Sequence, residues 1–141
     1  MPTNQVTRGD AKVGDLKSQG SKGLIFATMF YDPNSADTPF FVATRKCRVV
    51  GITARVEVAG TDGGAVTAAV TKAASGTAIP SGTALHSGTA NLKGTAATNQ
   101  VLTLSTTSAD LDIAAGQAIG VNFTGTMTAA VGCITVALEP R

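Results

Sequence analysis

Tryptophan is absent from this 141-residue chain, histidine and tyrosine occur once each, and cysteine occurs twice. With no Trp, and with its one tyrosine, Tyr31, at the end of its most hydrophobic stretch, the sequence offers little on which a sugar ring could stack. That argues against a carbohydrate-binding module. The one histidine, His86, has no acidic residue near it in sequence, so a Ser-His-acid nucleophilic set has no support and His86 reads as a surface-loop residue. Cys47 and Cys133 could form at most one bridge, and neither has a Cys or His at metal-ligand spacing. Zinc is not expected, and both read as buried free thiols. Charge is scarcest of all. Between Ala73 and Leu138 the only charged side chains are Lys93, Asp110 and Asp112, whereas a free-standing soluble domain keeps roughly a quarter of its residues charged. A body so poor in charge, and in catalytic side chains, suits burial against other subunits better than it suits an enzyme.

What is present is light and small. Ala (23) and Thr (21) dominate, and the length is that of one domain. The net charge of +2 lies wholly in residues 1–23, where Arg8, Lys12, Lys17 and Lys22 outnumber Asp10 and Asp15; the remainder balances to zero. That surplus is too small for a protein that works by neutralising nucleic-acid phosphates. The first twenty residues hold no apolar segment of the kind that heads a secretory leader. Residues 113–138 lack charge over a membrane-spanning length, but Gly116, Gln117, Gly120, Asn122 and Gly125 interrupt them and the apolar positions alternate. Neither membrane insertion nor export is expected.

Residues 1–23 read as an extended arm, polar and glycine-containing, with only Val6, Val13 and Leu16 as sizeable apolar residues after Met1. Extended, such an arm reaches roughly 70 Å at about 3.3 Å per residue. Ordering it costs about 1–2 kcal/mol per residue, so it needs a large prepared surface. From Leu24 the texture turns to strands: 24–31, 40–44, an alternation of Val50, Ile52, Ala54, Val56 and Val58 on one face, another beginning at Val66, then 101–105, 111–113, 119–123 and 131–138. Short strands with Gly-rich turns and no helical stripe predict an all-β sandwich or barrel. Gly-Thr-Ala recurs every six residues at 76–78, 82–84, 88–90 and 94–96. Four hexads are too few for a β-helix, so they read as a long connection with Ile79 and Leu85 tucked beneath it and a short edge strand.

The remaining motifs carry little chemistry. Asp110 and Asp112 lie two apart and lack further oxygen ligands, so Ser108-Ala109-Asp110 reads as a turn ahead of a strand. Arg8-Gly9-Asp10 matches a three-residue adhesion signal, and Asn122-Phe123-Thr124 a glycosylation sequon that only an exported chain would use. Arg45, Lys46, Arg48 and Arg55, offset nearby only by Glu57, form the strongest local charge feature. They either meet an acidic patch on a partner or form a solvated strand face.

The run Thr107-Ser108-Ala109-Asp110-Leu111-Asp112-Ile113-Ala114-Ala115-Gly116-Gln117-Ala118-Ile119-Gly120-Val121-Asn122-Phe123, followed after a Thr/Gly loop by Gly132-Cys133-Ile134-Thr135-Val136-Ala137-Leu138, resembles the closing strands of jelly-roll proteins. With the polar arm and Ala/Thr/Gly-rich body, the chain resembles the cement, or decoration, proteins of tailed-bacteriophage capsids, above all those of Bordetella-type short-tailed phages. The resemblance implies a single jelly-roll β-sandwich over 24–141 and an arm over 1–23. It implies a non-enzymatic virion protein, without cofactor or metal, bound outside a shell of major capsid protein. There it would clamp neighbouring subunits against packaged DNA, as a homodimer or a trimer. The charges of the arm and of the basic cluster themselves make Arg8, Lys12, Lys17 and Lys22 in the arm and Arg45, Lys46 and Arg48 in the body the expected partner-binding residues. The other reading is a distal receptor-binding module of a phage fibre or spike, which would be trimeric.

Overall fold

The computed structural model describes residues 23–141. Ten strands follow in chain order: β1 (Ile25–Tyr31), β2 (Thr38–Val42), β3 (Cys47–Val58), β4 (Thr67–Ala73), β5 (Thr83–Ala84), β6 (Ala90–Asn91), β7 (Thr98–Val101), β8 (Asp112–Ile113), β9 (Ala118–Thr124) and β10 (Val131–Pro140). Among the described residues the only helical segments are short 3-10 turns at Ile79–Ser81 and Ser108–Leu111. All strand pairs are antiparallel. One sheet runs β1-β10-β3-β7, with β8 on the other end of β3; the second runs β2-β9-β4-β5, with β6 also on β4. If β5 with β6, and β7 with β8, are each counted as one interrupted strand, the orders become 1-8-3-6 and 2-7-4-5. That is the jelly-roll order of two interlocked Greek keys. The expected all-β sandwich is the observed one.

The inner faces meet over a core of aliphatic and alanine side chains. Val49, Ile52, Val56, Ile134 and Leu138 come from the first sheet, and Val66, Val70, Ile119 and Val121 from the second sheet and its approach. Leu85, from the hexad connection, is buried in the core as expected, and Ile79 is buried too. Leu92 is buried too, in the hexad where the position after Gly-Thr-Ala is the polar Asn91. The connection therefore keeps its inward anchor by moving it one residue along. Residues 85–87 hydrogen-bond to 103–105, and Leu102 N–H donates to Ile52 O, so the strand placed at 101–105 from sequence lies earlier, at 98–101, and its continuation turns toward the connection.

The alternation along β3 holds only in its middle. Ile52, Ala54 and Val56 are buried, but Val50 and Val58 are exposed and Val49 is buried instead. The register between β10 and β3 slips twice, between Val131 and Gly132 and between Ala137 and Leu138. Each slip inserts a residue that reverses the in-out parity beyond it.

Tyr31 shows how tightly the sheet is drawn together. It is buried, its hydroxyl donates to Arg55 O at 3.2 Å, and its ring meets Phe123 edge to face with centroids 6.0 Å apart. Burial, with a smaller contribution from nearby Cys133, pushes the phenol up to about 12. Gly132 stands opposite Tyr31, and a Cβ there would run into both the Arg55 carbonyl and the Tyr31 hydroxyl. Gly51 meets only Ala137 Cβ at 3.8 Å. Thermal denaturation should therefore show Gly132→Ala losing about 1–3 kcal/mol by overpacking. Gly51→Ala should stay within about 0.5 kcal/mol of the parent.

Candidate functional site

Across its three central rows the outer face of the β1-β10-β3-β7 sheet carries a single charged side chain, Arg55. Its rows follow from the registers: Phe30, Cys133, Arg55 and Asn99; then Thr28, Thr135, Thr53 and Val101; then Phe26, Ala137 and Gly51. Phe26 is 64% exposed, Phe30 79% and Val101 80%, and Val50 joins them through the bulge. Three large apolar side chains thus open to water on one sheet face, which is more than a lone exposed leucine. The charges near the face neutralise one another: Arg55 Nε lies 3.1 Å from Glu57 Oε2, and its Nη1 donates to Asn99 Oδ1 at 3.3 Å. Beside them a shallow hollow of about 360 Å³ is lined by Phe30, Arg55, Glu57, Val131, Gly132 and Cys133. A second hollow of about 510 Å³, between the end of β2 and residues 73–80, contains Asp37 as its one ionisable group.

The cysteines part company. Cys47 is buried in the core, and burial pushes its thiol up while nearby Arg45 pulls the other way. Cys133 is half-exposed on the outer face, which corrects the expectation that both are buried. The two sit on opposite faces of one sheet, and both are free.

The basic residues divide likewise. Arg45 and Lys46 are exposed in the turn before β3, where Lys46 O accepts from Arg141 N–H at 3.0 Å. Arg48 is half-buried and turned inward on its own chain: Nη1 pairs with Asp112 Oδ1 at 2.8 Å and reaches Ser108 O at 3.2 Å, and Nη2 donates to Ser108 Oγ at 3.0 Å. From the second sheet, Lys72 Nζ donates to Ala109 O and Asp112 O, each at 2.7 Å. Two cations on different sheets thus grip one turn. That turn is the Ser108–Leu111 segment leading into β8, which matches the reading of Ser108-Ala109-Asp110 as turn chemistry. Asp110 accepts from Ser105 Oγ at 2.6 Å, so each carboxylate has its own partner. Among the described residues no group of three or more His, Cys, Asp or Glu side chains comes together. Arg8, Lys12, Lys17 and Lys22 lie outside the described residues. The sheet end that carries Arg45 and Lys46 is also the end at which the described chain starts, since Ile25 pairs with Leu138 and Pro140 with Cys47.

His86 corrects another expectation. It is 4% exposed, and its Nε2 accepts the Val70 N–H at 2.8 Å while Nδ1 faces Ser87 O at 3.3 Å. The backbone bond fixes a neutral ring that carries its proton on Nδ1. The sequence context of Gly, Ser and Thr gave no sign of this, because the connection folds back onto β4 through a neighbour, Leu85, whose N–H bonds Val70 O.

With this geometry in place, comparison with known proteins adds one likeness. No protein-family model matches the chain, and no curated protein does. A chain in the capsid asymmetric unit of cyanophage Pam1 is similar in structure, with a TM-score of 0.50 and 15% identity over 82% of this chain and 81% of that one. The likeness is one of fold. The two chains differ at most positions.

Burial holds the His86 ring below the usual histidine value of 6.5, against smaller opposing contributions from the Ser87 and Gly88 backbone. A lowered folded value means that the unfolded chain takes up the proton first as pH falls, so the contribution is complete above pH 6.5 and is lost progressively below it. The melting temperature should be flat from about pH 7.5 to 6.5 and fall towards pH 5.5. His86→Gln should melt lower at pH 7.5 and show a shallower fall; an unchanged slope would detach His86 from the acid response.

Proposed function

We propose that this chain is a structural protein of a bacteriophage virion. In this reading it binds the outer surface of the capsid as a homo-oligomer and clamps neighbouring major capsid protein subunits. The observation that carries the reading is the broad outer sheet face with Phe26, Phe30, Val50 and Val101 open to water and no unpaired charge among its central rows. The jelly-roll backbone shared with a capsid chain supports it. So does the arm-like composition of residues 1–23, which contain the chain's whole net charge.

A clamp of this kind needs no strong single contact. Many copies on one shell add modest contacts, and an arm tethered beside a docked body binds at high effective concentration. The described chain starts at the sheet end that presents Arg45 and Lys46, so an arm over residues 1–23 and the basic turn would act on the same neighbouring surface. Arg48 holds the Ser108–Leu111 turn in place behind them.

Mixing the purified chain with capsids that lack it, sedimenting, and counting copies per major capsid subunit tests the reading. Saturable, near-stoichiometric occupancy is expected. A handful of copies at one vertex would instead make the chain a fibre or spike module, and no binding would remove it from the shell. Deleting residues 1–22 should weaken attachment by about tenfold or more while the melting temperature stays put. Reversing Arg45 and Lys46 to Glu should flatten the salt dependence of binding.

A further inference from the structure

Each sheet of an open sandwich has two edges, and three of the four here are blunted. On the first sheet the β7 and β8 edge is short, four residues with Asn99 and Gln100, and two residues in β8. On the second sheet β2 carries Pro39, and the opposite edge consists of β5 and β6 at two residues each. Short edge strands, prolines and breaks of this kind are how β proteins keep their edges from pairing.

Among the described residues the fourth edge has no such protection. β1 is seven residues long, IFATMFY, with no charge, proline or glycine, and among the described residues it pairs only with β10. Its outward positions are Phe26, Thr28 and Phe30, all exposed, and its inward ones Ala27, Met29 and Tyr31, all buried. These positions are symmetric about Thr28 in a way that matters for pairing. An antiparallel strand pair has a two-fold axis, and if that axis passes at Thr28, residue 26 of one copy falls opposite residue 30 of the other.

We infer that two copies of this chain pair through β1, antiparallel and centred on Thr28. Phe26 then stands across from Phe30 of the second copy, twice over, in the cross-strand aromatic pairs that stabilise antiparallel sheets. Thr28, whose Oγ1 already lies 2.9 Å from Thr135 Oγ1, faces its own copy. The contact is isologous, with the same patch on both sides, and therefore closes at two subunits. It joins the two four-strand sheets into one continuous sheet and doubles the apolar face. The inference deepens the reading of that face as an assembly surface and rests on it for its setting.

The register makes a test that a general stickiness of the strand would not satisfy. In analytical ultracentrifugation at about 50 μM, the full chain should sediment as a discrete dimer. Phe26→Lys with Phe30→Lys puts like charges opposite each other at both pairs and should weaken dimerisation about tenfold or more. Phe26→Lys with Phe30→Glu puts opposite charges there and should recover at least that factor at low salt, losing it at high salt. The two variants differ in one exposed side chain, so a general folding defect moves both alike. As an independent measurement in a Cys133→Ser background, Thr28→Cys should cross-link to itself on mild oxidation, since opposed Cα atoms lie within disulfide reach. Val101→Cys, on the far edge, should not.

A monomeric wild-type chain, higher aggregates in place of a dimer, or equal dimerisation by the two charge variants overturns the pairing. Capsid sedimentation separates this from the cement reading. A dimer that ignores capsids keeps the pairing and removes the cement role, and capsid binding by a chain that never dimerises does the reverse.

Discussion

Strand β10 is bonded along its length to β1 on one side and to β3 on the other, so the first and last strands described are neighbours in one sheet. Everything that concerns function stands on that ladder. It sets Phe30, Cys133 and Arg55 in one row and Thr28, Thr135 and Thr53 in the next, and it makes β1 an edge. It also draws the backbone in so far that only glycine fits at 132, between the Tyr31 hydroxyl and the Arg55 carbonyl. Such pairing joins residues more than a hundred positions apart, which makes the closing of this sheet a long-range event that the local sequence cannot complete alone.

Much of the architecture was legible in the residues because burial on one face leaves a period of two. Ile52, Ala54 and Val56, and Val66, Ala68 and Val70, alternate as half-buried strands must, and all are buried. The alternation misled at Val50 and Val58, where register slips against β10 reverse the parity. A bulge is a property of a strand pair, and one strand's sequence does not announce it. His86 and Leu92 were missed for a related reason: both lie in the Gly-Thr-Ala connection, whose burial comes from docking onto β4, not from any apolar pattern of its own.

The apolar outer face was half legible. The shortage of charge between Ala73 and Leu138, which takes in β7 and most of β10, stood out at once, but the outward turn of Phe26 and Phe30 did not, because the run IFATMFY is apolar on both sides and a period-two reading is silent there. The basic cluster shows the opposite failure. Arg48 and Arg55 follow Arg45 and Lys46 within ten residues and look like members of one patch, yet in three dimensions they are engaged by Asp112 and Glu57. Charge adjacency in sequence says which groups are present. Only the fold says which are already spoken for.

Arg48 and Lys72 grip the turn before β8, and Lys93 Nζ reaches the carbonyls of Asp62 and Gly64 at 2.6 and 3.0 Å. These cations act as internal ties, and the folded body as a whole carries equal numbers of positive and negative groups. A body whose side chains balance adds no net-charge repulsion of its own between identical neighbours, even at the low ionic strength where the screening length grows to about 30 Å. Any electrostatic cost of crowding copies side by side is therefore set by the surplus of two charges in residues 1–23.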